Sequence, residues 1–206
     1  MSDIIRKAIS DVCSGQDLSA STTTAIMEQI FRGEISEVLM AGWLTAMHTK
    51  GETAEELAAC ISVMRNGAVN IPCEDNLAID IVGTGGDGHH TYNISTASAF
   101  VAAGAGVTVA KHGNRAFSSK SGSADVLSYL GVNTTTTPEI MKNGLVEIGM
   151  SFLFAPLLHP AVKHTVGVRK EMGVRTLFNL LGPMCNPAKV SRGLIGVYSK
   201  DYCKLL

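Results

Sequence analysis

Between Gly88 and Ala124 the chain carries no acidic residue, while Lys111, Arg115 and Lys120 supply positive charge and His89, His90 and His112 add imidazoles. Glycine, serine and threonine crowd the same window. Exposed backbone N–H groups, hydroxyls and a few cations are what a phosphate site needs. A solvated basic loop is the ordinary alternative. Two glycine-rich stretches, DIVGTGGDGHHTYNISTAS at 80–98 and KHGNRAFSSKSGS at 111–123, each follow a short apolar run, which favours the anion site. Asp87 repels a bare phosphate but fits if a divalent cation or sugar hydroxyls share the site. Asn93-Ile94-Ser95-Thr96 falls where a helix should begin, so its hydroxyls can cap the helix, meet an anion at its positive end, or do both.

Gly83, Gly85 and Gly88 also satisfy G-x-G-x-x-G. A dinucleotide loop needs the helix to open within the glycines and an acid about 20 residues later. Here GDGHHTYN delays the helix, and no acid stands between Asp87 and Asp125. That context rejects a dinucleotide. Lys120-Ser121 lacks the preceding glycine of a nucleotide P-loop. His159 and His164 have no ligand-like spacing with other metal donors. Arg169 and Arg175 flank a helix end, where they complement the dipole or, in the functional alternative, clamp a carboxylate with a planar guanidinium.

The elements that must position these groups follow from pattern. Ile4, Ile5, Ala8, Ile9 and Val12 share one helical face. Ser21 to Thr24 are expected to cap a second helix that ends near Gly33. Ser36 starts a third that ends at Gly51, and Thr53 with Glu56 forms a capping box for a fourth that ends near Gly67. VNIPCEDN then reads as a connection. Strands are expected at LAIDIV (77–82), VTVA (107–110), SFLFA (151–155) and Leu194 to Tyr198. Helices are expected over 95–103, over 124–130, from Thr137-Pro138 to Gly149, over 160–172 and over 177–181. Strands alternating with helices imply βαβ units and a mainly parallel sheet. Both glycine-rich loops leave carboxyl ends, so they should face one crevice. The expected division is a helical domain at 1–72 and an α/β domain at 73–206.

A net charge of -1 from 17 basic and 18 acidic residues argues against a general nucleic-acid or membrane surface. The five cysteines are scattered with no C-x-x-C, as expected of reduced thiols in a cytoplasmic protein. The first ten residues lack the apolar core of a signal peptide, and ASAFVAAGAGVTVA is too short to span a bilayer.

GTGGD at 83–87, NIST at 93–96, KHGNRAFSSKSGSADVL at 111–127 and NLLGPMCNP at 179–187 together resemble the anthranilate phosphoribosyltransferase family of tryptophan biosynthesis. The resemblance runs over essentially the whole chain and keeps the family's motif order. It implies a pentosyltransferase in which the amine of anthranilate displaces pyrophosphate from C1 of 5-phosphoribosyl 1-pyrophosphate, with Mg2+ stabilising the leaving group. It implies the nucleoside phosphorylase/phosphoribosyltransferase type of fold: a small N-terminal helical domain plus a large α/β domain, with the helices around 160–185 returning to the small one. It also implies a homodimer formed through the helical domain.

By motif, the resemblance assigns Gly83, Gly86 and Asp87 to the phosphoribosyl pyrophosphate, continued by Thr91, Asn93, Ile94, Ser95 and Thr96. Ser95 would also bind magnesium. Lys111, His112, Gly113, Asn114, Arg115, Ala116, Phe117, Ser118 and Ser119 would wrap the phosphates, and Ser123 would close the loop. Gly83, Asn114 and Arg169 would meet anthranilate, Arg169 through its carboxylate. An aromatic amine is neutral at pH 7, so His112 need only accept a proton late or orient the amine. Catalysis would come mostly from His112, Asn114 and Arg169 placing charge and substrate.

The family's acidic magnesium-binding pair has no counterpart here, since Asp201 is the only acid after Lys189. The chain therefore reads as an N-terminal, truncated portion, expected to be catalytically impaired in isolation. The alternatives are a pyrimidine nucleoside phosphorylase of related architecture and a non-enzymatic nucleic-acid-binding relative. The first lacks KHGNR followed by SGSADVL in this form, and the second calls for a basic surface.

Overall fold

A computed structural model describes residues 3–85, 92–116 and 121–206. The chain forms two compact units. One comprises residues 1–67, 159–181 and 205–206, and the other residues 68–158 and 182–204.

The first unit is helical. Helix α1 spans Asp3–Cys13, α2 Ala20–Phe31, α3 Glu37–Lys50 and α4 Ala54–Asn66. The returning segment adds α9, Lys163–Met172, and α10, Phe178–Leu181. α1 packs on α3 and α2 on α4, α9 meets both α2 and α3, and α10 reaches α4. Ile5, Ile26, Met27, Ile30, Met40, Trp43, Leu44 and Met47 are completely or almost completely buried in this unit. The second helix is capped two residues before the serine-threonine run that begins at Ser21. Ser19 is its N-cap, accepting from the Thr22 N–H, because its extended backbone frees its hydroxyl to face the helix end. The capping box of α4 is complete, and Glu56 does more than cap. Its fully buried carboxylate accepts from Leu18 N at 2.8 Å, Thr53 N at 2.8 Å and Lys50 Nζ at 3.0 Å. Lys50 in turn donates to Asp17 at 2.7 Å, so a buried charge is both paired and hydrogen-bonded.

The second unit is a four-stranded, all-parallel sheet in the order β3-β2-β1-β4, with β1 Ile79–Gly83, β2 Val109–Gly113, β3 Met150–Phe154 and β4 Arg192–Gly196. Helices α5 (Ile94–Gly104), α6 (Ser123–Tyr129), α7 (Pro138–Glu147) and α8 (Ala155–Leu158) connect the strands, and α11 (Tyr202–Leu205) follows β4. Side chains alternate across the sheet. Ile81, Ala99 and Val109 form one apolar layer. Ala110, Met141, Leu145 and Leu153 join Ile71 and Ala188 in the other. Register is continuous over five pairs between β1 and β4 and over five between β2 and β3. Between β1 and β2 it consists of the single pair Ile79↔Val109.

The second strand departs from its expected position at VTVA. Only Val109 and Ala110 of that run are in β2, which continues through Lys111, His112 and Gly113. Lys111 and His112 are only 2% and 3% exposed. Lys111 Nζ donates to the Ile81 carbonyl and the His112 N–H to the Asp80 carboxylate, which helps two polar residues occupy an interior strand. No described helix is long and apolar enough to cross a membrane.

Candidate active site

Because β1 and β2 are parallel, the segments after Gly83 and after Gly113 leave the same edge of the sheet. At Gly85 the backbone takes φ +68°, a left-handed conformation that favours glycine. Asn93 precedes α5 as its N-cap without a side-chain capping bond. Its Nδ2 instead donates to Ser121 Oγ at 3.4 Å, joining the far ends of the two loops. Ser95 is half-buried in the first turn of α5, and Thr96 is buried. Gly86, Asp87, Thr91, Phe117, Ser118 and Ser119 lie outside the described residues.

The base of the second loop is cinched from α6. Asp125 Oδ2 accepts from Ala116 N at 2.9 Å and from Gly122 N at 2.8 Å, one on each side of the loop. Its Oδ1 accepts from Arg115 Nη1 at 3.2 Å. The two backbone N–H groups, followed by Arg115, hold its carboxyl below the usual aspartate range. The Asn114 carbonyl accepts from Ser123 Oγ and Ala124 N, each at 3.2 Å. Asn114 Oδ1 takes the Arg115 N–H at 2.7 Å. The Arg115 guanidinium also lies 5.9 Å from the Phe154 ring centre. Gly122 is a close approach: a Cβ there would overlap Ala116 N and lie 2.5 Å from the Arg115 carbonyl carbon.

Beneath the loops lies a polar network. Lys111 Nζ donates to the Ile81 carbonyl at 2.6 Å, so its ammonium sits within the sheet. Asp80, 3% exposed, accepts the His112 N–H on Oδ1 at 3.1 Å and the Asn186 amide on Oδ2 at 2.7 Å. Asn186 Nδ2 also donates to the Ala110 carbonyl at 2.8 Å, and its Oδ1 accepts from Ala188 N at 2.8 Å. Burial raises the Asp80 carboxyl to about 6, against the pull of Asn186, His112 and Lys111. Burial lowers Lys111, and Asp80 partly restores it. His112 Nδ1 is 3.1 Å from the Gly182 carbonyl. A carbonyl only accepts, so Nδ1 carries the proton, and the lone pair of the neutral ring is on Nε2.

Arg169 belongs to the helical unit, half-buried on α9, with its guanidinium carbon 5.3 Å from the Phe178 ring centre. Burial lowers its pKa to about 10, which leaves it charged at neutral pH. Among the described residues, no three His, Cys, Asp or Glu side chains converge as a metal site. Pattern reading did not single out Asp80, Gly122, Asp125, Gly182 or Asn186. The available signals were an acid inside the apolar run LAIDIV and the last asparagine of NLLGPMCNP.

The strand order, with the chain turning from one side of β1 to the other, defines an open parallel α/β fold of the kind that binds ligands beyond its strand ends. The chain belongs to the glycosyl transferase family: its helical bundle domain matches residues 3–68 and its a/b domain residues 75–206. An anthranilate phosphoribosyltransferase from Desulfotalea psychrophila is 50% identical over 205 residues, covering 98% of this chain and 59% of the relative. The crystal structure of anthranilate phosphoribosyltransferase from Thermus thermophilus is 44% identical with a TM-score of 0.90, over 96% of this chain and 60% of that one. The Saccharomyces cerevisiae enzyme in complex with PRPP and Mg is 28% identical with a TM-score of 0.87, over 96% and 59%. The chain thus spans about three-fifths of the length of these relatives.

Proposed function

We propose that this chain binds 5-phosphoribosyl 1-pyrophosphate and belongs to an anthranilate phosphoribosyltransferase, which transfers the phosphoribosyl group to the amine of anthranilate in tryptophan biosynthesis. The observation that carries the reading is the meeting of two glycine-rich loops at one sheet edge, linked from Asn93 to Ser121 and clasped at the base of the second by Asp125. In this reading Gly83, Asn93, Ile94, Ser95 and Thr96 meet the phosphorylated substrate from one side. Gly113, Asn114, Arg115, Ala116 and Ser123 meet it from the other. Gly86, Asp87, Thr91 and residues 117–119 complete the set.

The amine nitrogen forms its bond to C1 as the C1–O bond to pyrophosphate breaks, leaving positive character on the ribose. Fixed N–H groups and cations that hold the departing charge therefore serve catalysis better than a strong base would. Ser95 offers one hard oxygen, which suits Mg2+ shared with substrate oxygens. Bound there, magnesium would neutralise charge on the leaving pyrophosphate. Arg169 holds the carboxylate of anthranilate with its planar fork, supported by Phe178. Asn114 and Gly83 line the same substrate. The resemblance gives Lys111 to the phosphates and His112 to catalysis; with Lys111 Nζ on the Ile81 carbonyl and His112 Nδ1 beside the Gly182 carbonyl, both buried, they act in this reading from below, by holding the strand that presents Asn114.

Two coarser points accompany this. The scattered cysteines form no disulfide, which supports a cytoplasmic protein. An open groove of about 700 Å³ on the helical unit, lined by Ile9, Val12, Ala41, Gly42 and Ala46, supports a homodimer formed through that face. Light scattering across a dilution series tests the dimer.

The direct test of function is calorimetric titration of the chain with 5-phosphoribosyl 1-pyrophosphate and magnesium, beside titrations with thymidine and phosphate. Saturable binding of the first alone is expected. Binding of nucleoside with phosphate but not of the pyrophosphate would overturn the proposal in favour of a nucleoside phosphorylase.

A further inference from the structure

The two strands that launch the loops are scarcely hydrogen-bonded to each other. A parallel ladder continuing past Ile79↔Val109 would next form Ile81 N–H to the Ala110 carbonyl, then His112 N–H to the Ile81 carbonyl. Neither forms, yet three of the four backbone groups involved take side-chain partners instead. The Ala110 carbonyl takes the Asn186 amide at 2.8 Å. The Ile81 carbonyl takes Lys111 Nζ at 2.6 Å. The His112 N–H goes to Asp80 Oδ1 at 3.1 Å, and the Ile81 N–H stabilises the same carboxylate. Side chains thus hydrogen-bond three of the four ends of two consecutive ladder bonds. On the outer sides of these strands, against β4 and β3, the ladders run unbroken.

Three side chains with complementary roles are needed for this. Asn186 uses both amide hydrogens and its oxygen, on Asp80, Ala110 and Ala188. Aspartate there would lose both donations and set two carboxylates together. A longer glutamine would not fit between the same three partners.

We infer that Asp80, Lys111 and Asn186 form a wedge that holds β1 and β2 apart at their carboxyl ends, and so sets the separation of the two loops that receive the phosphorylated substrate. They are positioning residues, and the inference rests on the proposed function for that ligand. A closed ladder would bring the strands to the ordinary spacing of about 4.8 Å and would draw Gly83 and Gly113, with the loops behind them, toward each other. The wedge also gives NLLGPMCNP a structural task, since its Asn186 supplies the bridge to Asp80 and Ala110.

The test combines NMR scalar couplings across hydrogen bonds with calorimetric titration by 5-phosphoribosyl 1-pyrophosphate and magnesium. In the wild-type chain the His112 amide should couple to the Asp80 side-chain carboxyl carbon, with no coupling from the Ile81 amide to the Ala110 carbonyl. An Ile81–Ala110 coupling in the wild type would overturn the wedge whatever the ligand. In the triple variant Asp80→Val, Lys111→Met, Asn186→Leu, that coupling should appear and affinity should drop about tenfold or more. Asn186→Leu alone gives the same two readouts if the triple variant fails to fold. Unchanged affinity in a folded variant with a closed ladder would overturn the positioning role. A wild-type chain that binds no pyrophosphate substrate would refute the proposed function and the positioning role together, while the couplings still judge the wedge by itself.

Discussion

Gly122→Ala should open the second loop without altering any charged group. The backbone at Gly122 has φ -96° and ψ 178°, which alanine adopts freely, so the cost is steric. The new methyl would overlap Ala116 N and lie 2.5 Å from the Arg115 carbonyl carbon and 2.8 Å from the Asn114 oxygen. These are backbone atoms, with no flexible end to swing away. Restoring ordinary contact requires a backbone shift of about 1 Å. That shift stretches the bonds from Ala116 N and Gly122 N to Asp125, now 2.9 and 2.8 Å, out of hydrogen-bond range. Each is a bond to a charged acceptor, about 1.5–3 kcal/mol. Because the pair shares one carboxylate oxygen, about 3 kcal/mol in total is a reasonable figure. It corresponds to a roughly hundredfold loss in the population of the closed base. Affinity for 5-phosphoribosyl 1-pyrophosphate, read by calorimetry, should fall by about that factor, and amide exchange at residues 116 and 122 should accelerate. Wild-type affinity, within twofold or so, would refute the claim that the clasp at Asp125 shapes the site.

Arg169→Ala should weaken anthranilate binding by about 10- to 100-fold, as loss of a charge-assisted pair implies, and barely change binding of the phosphorylated substrate. Equal losses for both would remove Arg169 from the carboxylate role. Burial raises the Asp80 carboxyl from 3.8 to about 6, so the native chain holds this proton more tightly than the unfolded one. The stability it confers is complete below about pH 4 and is lost as pH rises through about 6, a change of about 3 kcal/mol. Asp80→Asn should abolish this component, and denaturant titrations at pH 4 and pH 7.5 in which both chains change alike would count against it. In the helical unit, Glu56→Ala leaves Lys50 with Asp17 as its remaining carboxylate and takes the acceptor from the Leu18 and Thr53 N–H groups, and should cost about 3 kcal/mol in urea denaturation. A loss below 1 kcal/mol or so would show that the Glu56 network is dispensable.

Local chemistry was readable and distant chemistry was not. Ser36, Thr53 with Glu56, and Thr137 before Pro138 mark helix starts because a cap and the amide it serves lie within three residues. The glycine-rich loops stood out for the same reason, and Asn93 and Ser121 do meet. Strand β2 was misplaced because Lys111 and His112 read as loop residues. The groups that let them be buried, the Ile81 carbonyl and the Asp80 carboxylate, are 30 and 32 positions away. Asn186 and Asp80 are 106 positions apart, a distance no periodicity spans. Ser19 lost out to the richer serine-threonine run behind it, since composition points to a helix start but only backbone direction selects the cap.

The packed helices of the helical unit come from two stretches, 1–67 and 159–181, with three strands of the other unit between them. This imposes an order on synthesis. When α1 to α4 have emerged, the faces of α2 and α3 that receive α9 still lack their partner. About 90 further residues must be made first, which at about 5–20 residues per second takes roughly 5–20 s. During that interval the nascent bundle must persist without α9. The capping box of α4 and the Glu56–Lys50–Asp17 bonds lie wholly within the first stretch, and can lock the early bundle while the ribosome works through the sheet.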